Sequence, residues 1–154
     1  MRSSPFWYAT LVGGGIAGAL DISYAICFSI FRGGTAQHLL QIVATGVLGT
    51  LAFERGWSSA ALGLALHFAM SFVFAAFFFL VADRRPGLAL RPWISGPLYG
   101  LGVFLVMNLV VLPLSAFPYP VKFTGLGPAT NLLSHLFFFG LPIALATRRA
   151  LGLR

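Results

Sequence analysis

The polar residues of this chain punctuate long apolar runs instead of alternating with them. Residues 6–31 form the first run. Ser3, Ser4 and Pro5 ahead of it supply a hydroxyl cap and a first-turn proline, the start signal of a helix. Arg32-Gly33-Gly34 ends it. Further runs at 58–82, 93–117 and 129–147 are separated by the arginine-bearing stretch 83–92 and by a Pro/Gly-rich loop from Pro118. Each is long enough to cross about 30 Å of hydrocarbon as a helix. Residues 35–53 differ: Gln37, His38 and Gln41 crowd the first turn and a half, and Glu54-Arg55-Gly56-Trp57 closes the segment. The pattern predicts an all-α, polytopic transmembrane helix bundle in one integral-membrane domain. It has four spans plus a re-entrant or interfacial helix at 35–53; the alternative is five spans, since nineteen residues suffice to cross.

Composition sharpens that reading. Of the 154 residues, 58% are hydrophobic and 8% charged, with a mean hydropathy of +0.91. Soluble domains carry about 25% charged residues, so this chain cannot cover itself with a solvated surface. The net charge of +7 does not indicate nucleic acid. Its ten basic residues lie at or beyond the ends of apolar runs, where they act as topology signals and headgroup contacts, and a nucleic-acid face would gather them on one soluble element. The bilayer is therefore the expected partner. Cys27 is alone, so no internal disulfide forms, and within an apolar run it reads as a small buried hydrophobe. Gly13-Gly14-Gly15 interrupts the first run and apolar character resumes through Phe31, which predicts an uncleaved span and not a secretory leader.

Arginines at 83–92 and in the C-terminal tail mark both as cytoplasmic, whereas the loop 118–128 carries only Lys122 and belongs outside. With four spans, the N- and C-termini are both cytoplasmic.

Three of the runs hold a single carboxylate or imidazole each: Asp21, His67 and His135. Such groups are costly in hydrocarbon and are functional-site hypotheses by default. At about 1.5 Å per residue, Asp21, His67, Asn108 and His135 each fall about 4 Å to the outer side of the midpoint of their span, forming a polar layer. Gly14, Gly18, Asp21 and Ala25 share one stripe of the first helix, with Gly14-x-x-x-Gly18 offering a close-packing surface. Gly63, His67 and Ser71 form a second stripe, and Asn131 and His135 share a face. Gly96-x-x-x-Gly100 gives the third span another small-residue surface. His38, Gln41 and Asn131 would lie near the mouth of the layer. Phe77-Phe78-Phe79 reads as lipid-facing bulk.

Three chemistries fit such a layer. Asp21 with a histidine is the usual material of a proton or small-ion relay, in a chain short enough to need a homo-oligomer or a larger membrane complex for a full pathway. His67 and His135 are candidate axial ligands of a b-type haem, or, with Asp21, ligands of a transition metal, although no H-x-x-x-H, C-x-x-C or E-x-x-H spacing is present. A non-catalytic accessory or scaffolding subunit would use the same groups to fix helix register. No hydrolase elbow or H-E-x-x-H motif appears, which argues against hydrolytic chemistry.

Leu62-Gly63-Leu64-Ala65-Leu66-His67-Phe68, Gly96-Pro97-Leu98-Tyr99-Gly100 and the stretch from Met107 to Ser115 together resemble a family of small bacterial four-span inner-membrane proteins. The resemblance covers most of residues 8–147. It implies a bacterial cytoplasmic membrane and brings no activity, cofactor or catalytic residue with it.

Overall fold

The computed structural model describes residues 3–153, and among them it contains helices and no strand. Helices α1 (Ser4–Phe31), α2 (Ala36–Leu48), α3 (Gly56–Arg84), α4 (Pro92–Leu114) and α5 (Leu126–Ala150) follow one another. A 3-10 segment, Gly49–Glu54, joins α2 to α3, and a one-turn helix, Gly87–Leu90, joins α3 to α4. Helices α1, α3, α4 and α5 have 28, 29, 23 and 25 residues. At 1.5 Å per residue they measure about 34–44 Å, enough to cross a bilayer.

These four helices pack antiparallel in sequence. Gly13 lies against Ile143 and Ala146, Asp21 against Ser134 and His135, and Gly127 against Phe28, so α5 descends as α1 climbs. Phe79 meets Phe6, Phe72 meets Gly14 and Phe68 meets Gly18, which sets α3 antiparallel to α1 as well. Gly96 touches Leu141, and Gly100 touches His135, pairing α4 with α5. Glycine matters at Gly100 because a Cβ there would occupy the place of the His135 carbonyl. The Gly96/Gly100 surface is thus a helix–helix seam, as small-residue pairs in membranes commonly are.

Helix α2 takes no part in this set. Counted with the 3-10 segment it is a 19-residue stretch apolar enough to span, but the chain breaks at Gly49, whose φ of 56° few other residues would adopt. The 13 residues of α2 reach only about 20 Å. Its start is fixed by the turn that ends α1. Gly34 N–H bonds to Ser29 O and Gly33 N–H to Ile30 O, with Gly33 at φ 84°, and the Thr35 hydroxyl then caps α2 by accepting from His38 N–H. Its end is fixed by Ala116, just beyond α4, whose N–H donates to Gly46 O. Between these points Leu40 and Ala44 cross α3 at Gly63, two turns or about 10 Å from the start of that helix. Both ends of α2 therefore lie at one end of the bundle, opposite Arg84 and Arg149. Five helical stretches are thus long and apolar enough to cross a membrane, and the contacts return α2 to the end of the bundle at which it starts.

Ala17, Ala75, Phe78, Val103, Phe139 and Ile143 form the main core, and Ile22, Leu40 and Ala60 a smaller one beneath α2. The outer surface of the long helices is itself apolar. Leu11, Ile16, Val73, Phe77, Trp93, Leu98 and Leu109 are all at least half exposed, a surface suited to lipid and not to water. This is the architecture of a membrane-embedded helical bundle. Two expectations change. Of the phenylalanine run only Phe77 faces outward, because consecutive residues are 100° apart and Phe78 and Phe79 turn into the core. Cys27 is exposed on the flank of α1 opposite its packed stripe.

Three π-helical turns interrupt the long helices: Tyr8–Gly13, Met107–Val111 and His135–Gly140. The last two end within two residues of Pro113 and Pro142. Proline removes the N–H that would serve the carbonyl four residues earlier, and a widened turn re-satisfies backbone that hydrocarbon cannot. These turns set the facing of Asn108 and His135.

Candidate functional site

Asp21 is directed into the bundle by the small-residue face of α1. Gly14 and Gly18 let α3 close on one side, and Asp21, a turn further on, meets α5. The residue is 7% exposed, so its oxygens need partners within the protein. Ser134 Oγ donates to Asp21 Oδ1 at 2.6 Å. His135 Nδ1 stands 3.7 Å from the same oxygen, beyond hydrogen-bond reach but within ion-pair range when the ring is protonated. That nitrogen donates to Asn131 O at 3.0 Å, which fixes the proton of a neutral His135 on Nδ1 and leaves Nε2 as an acceptor. Phe104 and Phe139 wall the ring, edge-on and stacked, with centroids 5.7 and 5.8 Å away.

The remaining polar side chains are stepped and do not lie at one depth. His67 Nε2 donates to Gly18 O at 2.9 Å, and Ser71 Oγ to Gly14 O at 2.6 Å. His67 is thus level with Gly18, about one turn nearer the arginine-rich end than Asp21. His135 lies between Gly100 and Phe104 of α4, so Asn108 sits about 6–12 Å toward the far end; its Nδ2 bonds back to Phe104 O. The structure brings Asp21 and His135 together and gives His67 and Asn108 backbone partners instead. Ser134 completes the pair and was not singled out in the sequence. The available signal was its place beside His135, three residues from Asn131 on the same face.

The residues expected at the mouth separate in the same way. Asn131 lines a cavity of about 590 Å³, together with Tyr24, Phe28, Arg32, Leu39 and Gly127. His38 is exposed and stacks on Phe53 at 5.1 Å. Gln41 is buried and holds the return of the chain, donating to Ala52 O and Gly56 O, both at 3.1 Å, and to Ser59 Oγ at 3.3 Å. Among the described residues, the buried hydroxyls of Thr10, Tyr24 and Thr147 find no partner.

The donor set does not fit the metal and haem readings. Among the described residues no three His, Cys, Asp or Glu side chains converge on a metal-sized site. A bis-histidine haem needs an unoccupied nitrogen of each ring facing one iron. Each ring keeps one nitrogen free, Nδ1 of His67 and Nε2 of His135, but the rings lie at different levels, His67 beside Gly18 of α1 and His135 against Phe104 of α4.

Comparison of the chain with protein-family models, with curated proteins and with solved structures finds no match.

Proposed function

We propose that this integral membrane protein relays protons through the Asp21–Ser134–His135 cluster. The observation that carries the reading is the buried carboxylate of Asp21, held by a hydroxyl at 2.6 Å and faced by an imidazole at 3.7 Å. Two such groups can share one proton without leaving net charge in a low-dielectric interior. With one proton bound, the pair is either imidazolium with carboxylate or imidazole with carboxylic acid, and both states are neutral as a pair. Nδ1 keeps its proton on Asn131 O in each, so the proton that His135 exchanges is that of Nε2. Ser134 keeps its bond to the carboxyl group throughout. The arginine-rich end, carrying Arg84, Arg85, Arg91, Arg148 and Arg149, faces the cytoplasm in this reading, by the rule that basic residues stay inside.

The test is proton flux into liposomes containing the purified protein and an internal pH-sensitive dye, driven by a potassium diffusion potential. Flux is expected from the wild type, loss from Asp21→Asn and partial retention from Asp21→Glu. Equal flux from wild type and Asp21→Asn, in protein that remains folded, overturns the relay and leaves a register-fixing role for the buried polar groups.

A further inference from the structure

The cavity of about 590 Å³ at the far end of the bundle has a definite chemical character. Phe28, Leu39, Leu126 and the ring of Tyr24 line it with apolar surface. Its one charged lining residue is Arg32, exposed and, among the described residues, without a carboxylate partner. The turn that ends α1 positions the Arg32 backbone, whose N–H donates to Phe28 O and Ser29 O, both at 3.1 Å. Tyr24 contributes its ring to the lining; its hydroxyl is shut from solvent and has no hydrogen-bond partner among the described residues. Asn131 lines it from α5. An apolar pocket with a guanidinium at its rim and few convergent polar groups suits an anion carried on a short apolar body.

The position of the cavity matters as much as its lining. Tyr24 is one turn beyond Asp21 on α1, and Asn131 is one turn before His135 on α5, its carbonyl accepting the His135 Nδ1 proton. We infer that this cavity binds a small amphiphilic carboxylate, its head group paired with Arg32 and its chain lying between Phe28, Leu39 and Leu126. The inference rests on the relay reading for its consequence: one proton on the Asp21–His135 pair balances the charge of the anion.

The test uses hexanoate as the probe, with hexylamine as the control of opposite charge, against the full chain in nanodiscs of neutral phosphatidylcholine. Binding is followed by calorimetry and saturation-transfer NMR. Saturable binding of hexanoate but not hexylamine is expected. Arg32→Gln should weaken it about tenfold or more, since a charge-assisted bidentate pair is lost. Gly127→Leu should weaken it as well by filling the cavity, since a Cβ there has room, with only Phe28 near it, at 4.0 Å. Asp21→Asn should still bind hexanoate while losing proton flux. If hexanoate binding depends on Arg32 and Asp21→Asn leaves flux untouched, the cavity stands and the relay falls. Absence of saturable hexanoate binding, or equal binding by Arg32→Gln, overturns the inference. So does an anionic phospholipid that co-purifies in an Arg32-dependent way and is not displaced by hexanoate; the shared anion chemistry would then belong to a lipid headgroup.

Discussion

Ser134 donates its hydroxyl to Asp21 Oδ1 across 2.6 Å, joining residues 113 positions apart and tying α5 to α1. Hydrogen bonds to ionised groups are stronger than neutral ones, whereas interhelical bonds in bilayers average well below their nominal value. Between those limits, Ser134→Ala should lower stability to detergent unfolding by about 1–2 kcal/mol. Ser134→Thr, which keeps a hydroxyl, should lose less. Identical unfolding midpoints for wild type and Ser134→Ala would show that the bond holds nothing.

Gly100 and Gly102 are neighbours with opposite surroundings. A Cβ on Gly100 collides with the His135 backbone, and one on Gly102 meets nothing within 4 Å. Gly100→Ala should therefore destabilise by about 1–3 kcal/mol as α4 and α5 are forced apart, whereas Gly102→Ala should stay within about 0.5 kcal/mol of wild type. Two equal losses would place the α4–α5 seam elsewhere.

Because α2 starts and ends at the same end of the bundle, single cysteines at Gly33, Arg55 and Lys122 should all react with an impermeant maleimide from one side. Cysteines at Arg85 and Arg149 should react from the other, in each case in a Cys27→Ala background. Labelling of Gly33 and Arg55 from opposite sides would mean that residues 36–54 cross the membrane.

Gln41 anchors the return of the chain, and its amide and the Ser59 hydroxyl converge on Ala52 O and Gly56 O. Gln41→Leu leaves Ser59 as the remaining side-chain donor to those carbonyls. The predicted cost is about 1–3 kcal/mol, seen as faster hydrogen exchange confined to residues 49–56. Unchanged exchange there would remove Gln41 from this role.

How far the sequence foretells this arrangement depends on the range of the interaction. The apolar runs and their boundaries are local, so the four long helices are readable within a few residues of their ends. The distinct character of 35–53 is readable too, from the crowding of Gln37, His38 and Gln41; the structure divides this stretch into a 13-residue helix and a 3-10 segment at Gly49. The inward facing of Asp21 follows from the Gly14/Gly18 stripe, because small residues mark where helices approach. The relative depth of the polar groups is less legible. Counting residues from the midpoints of apolar runs takes the helices as straight and level with one another, whereas α4 ends at Leu114 and each of the π-helical turns at 107–111 and 135–140 adds about one residue of offset. The partners were least legible of all. His67 finds the Gly18 carbonyl only because a glycine leaves that oxygen uncovered, and Asn108 turns back onto its own helix, an option any asparagine has. Ser134 looks like an ordinary small residue until packing sets it against Asp21.

The antiparallel pairing of the first and last long helices has a consequence for how the molecule is made. During synthesis α1 reaches the bilayer more than a hundred residues before the hydroxyl and imidazole that serve its carboxylate. Until α5 arrives, that acid must stay protonated, keep company with water, or be sheltered by an insertase. A chain whose last long helix fails to pack leaves the Asp21 carboxylate without the Ser134 hydroxyl and the His135 ring.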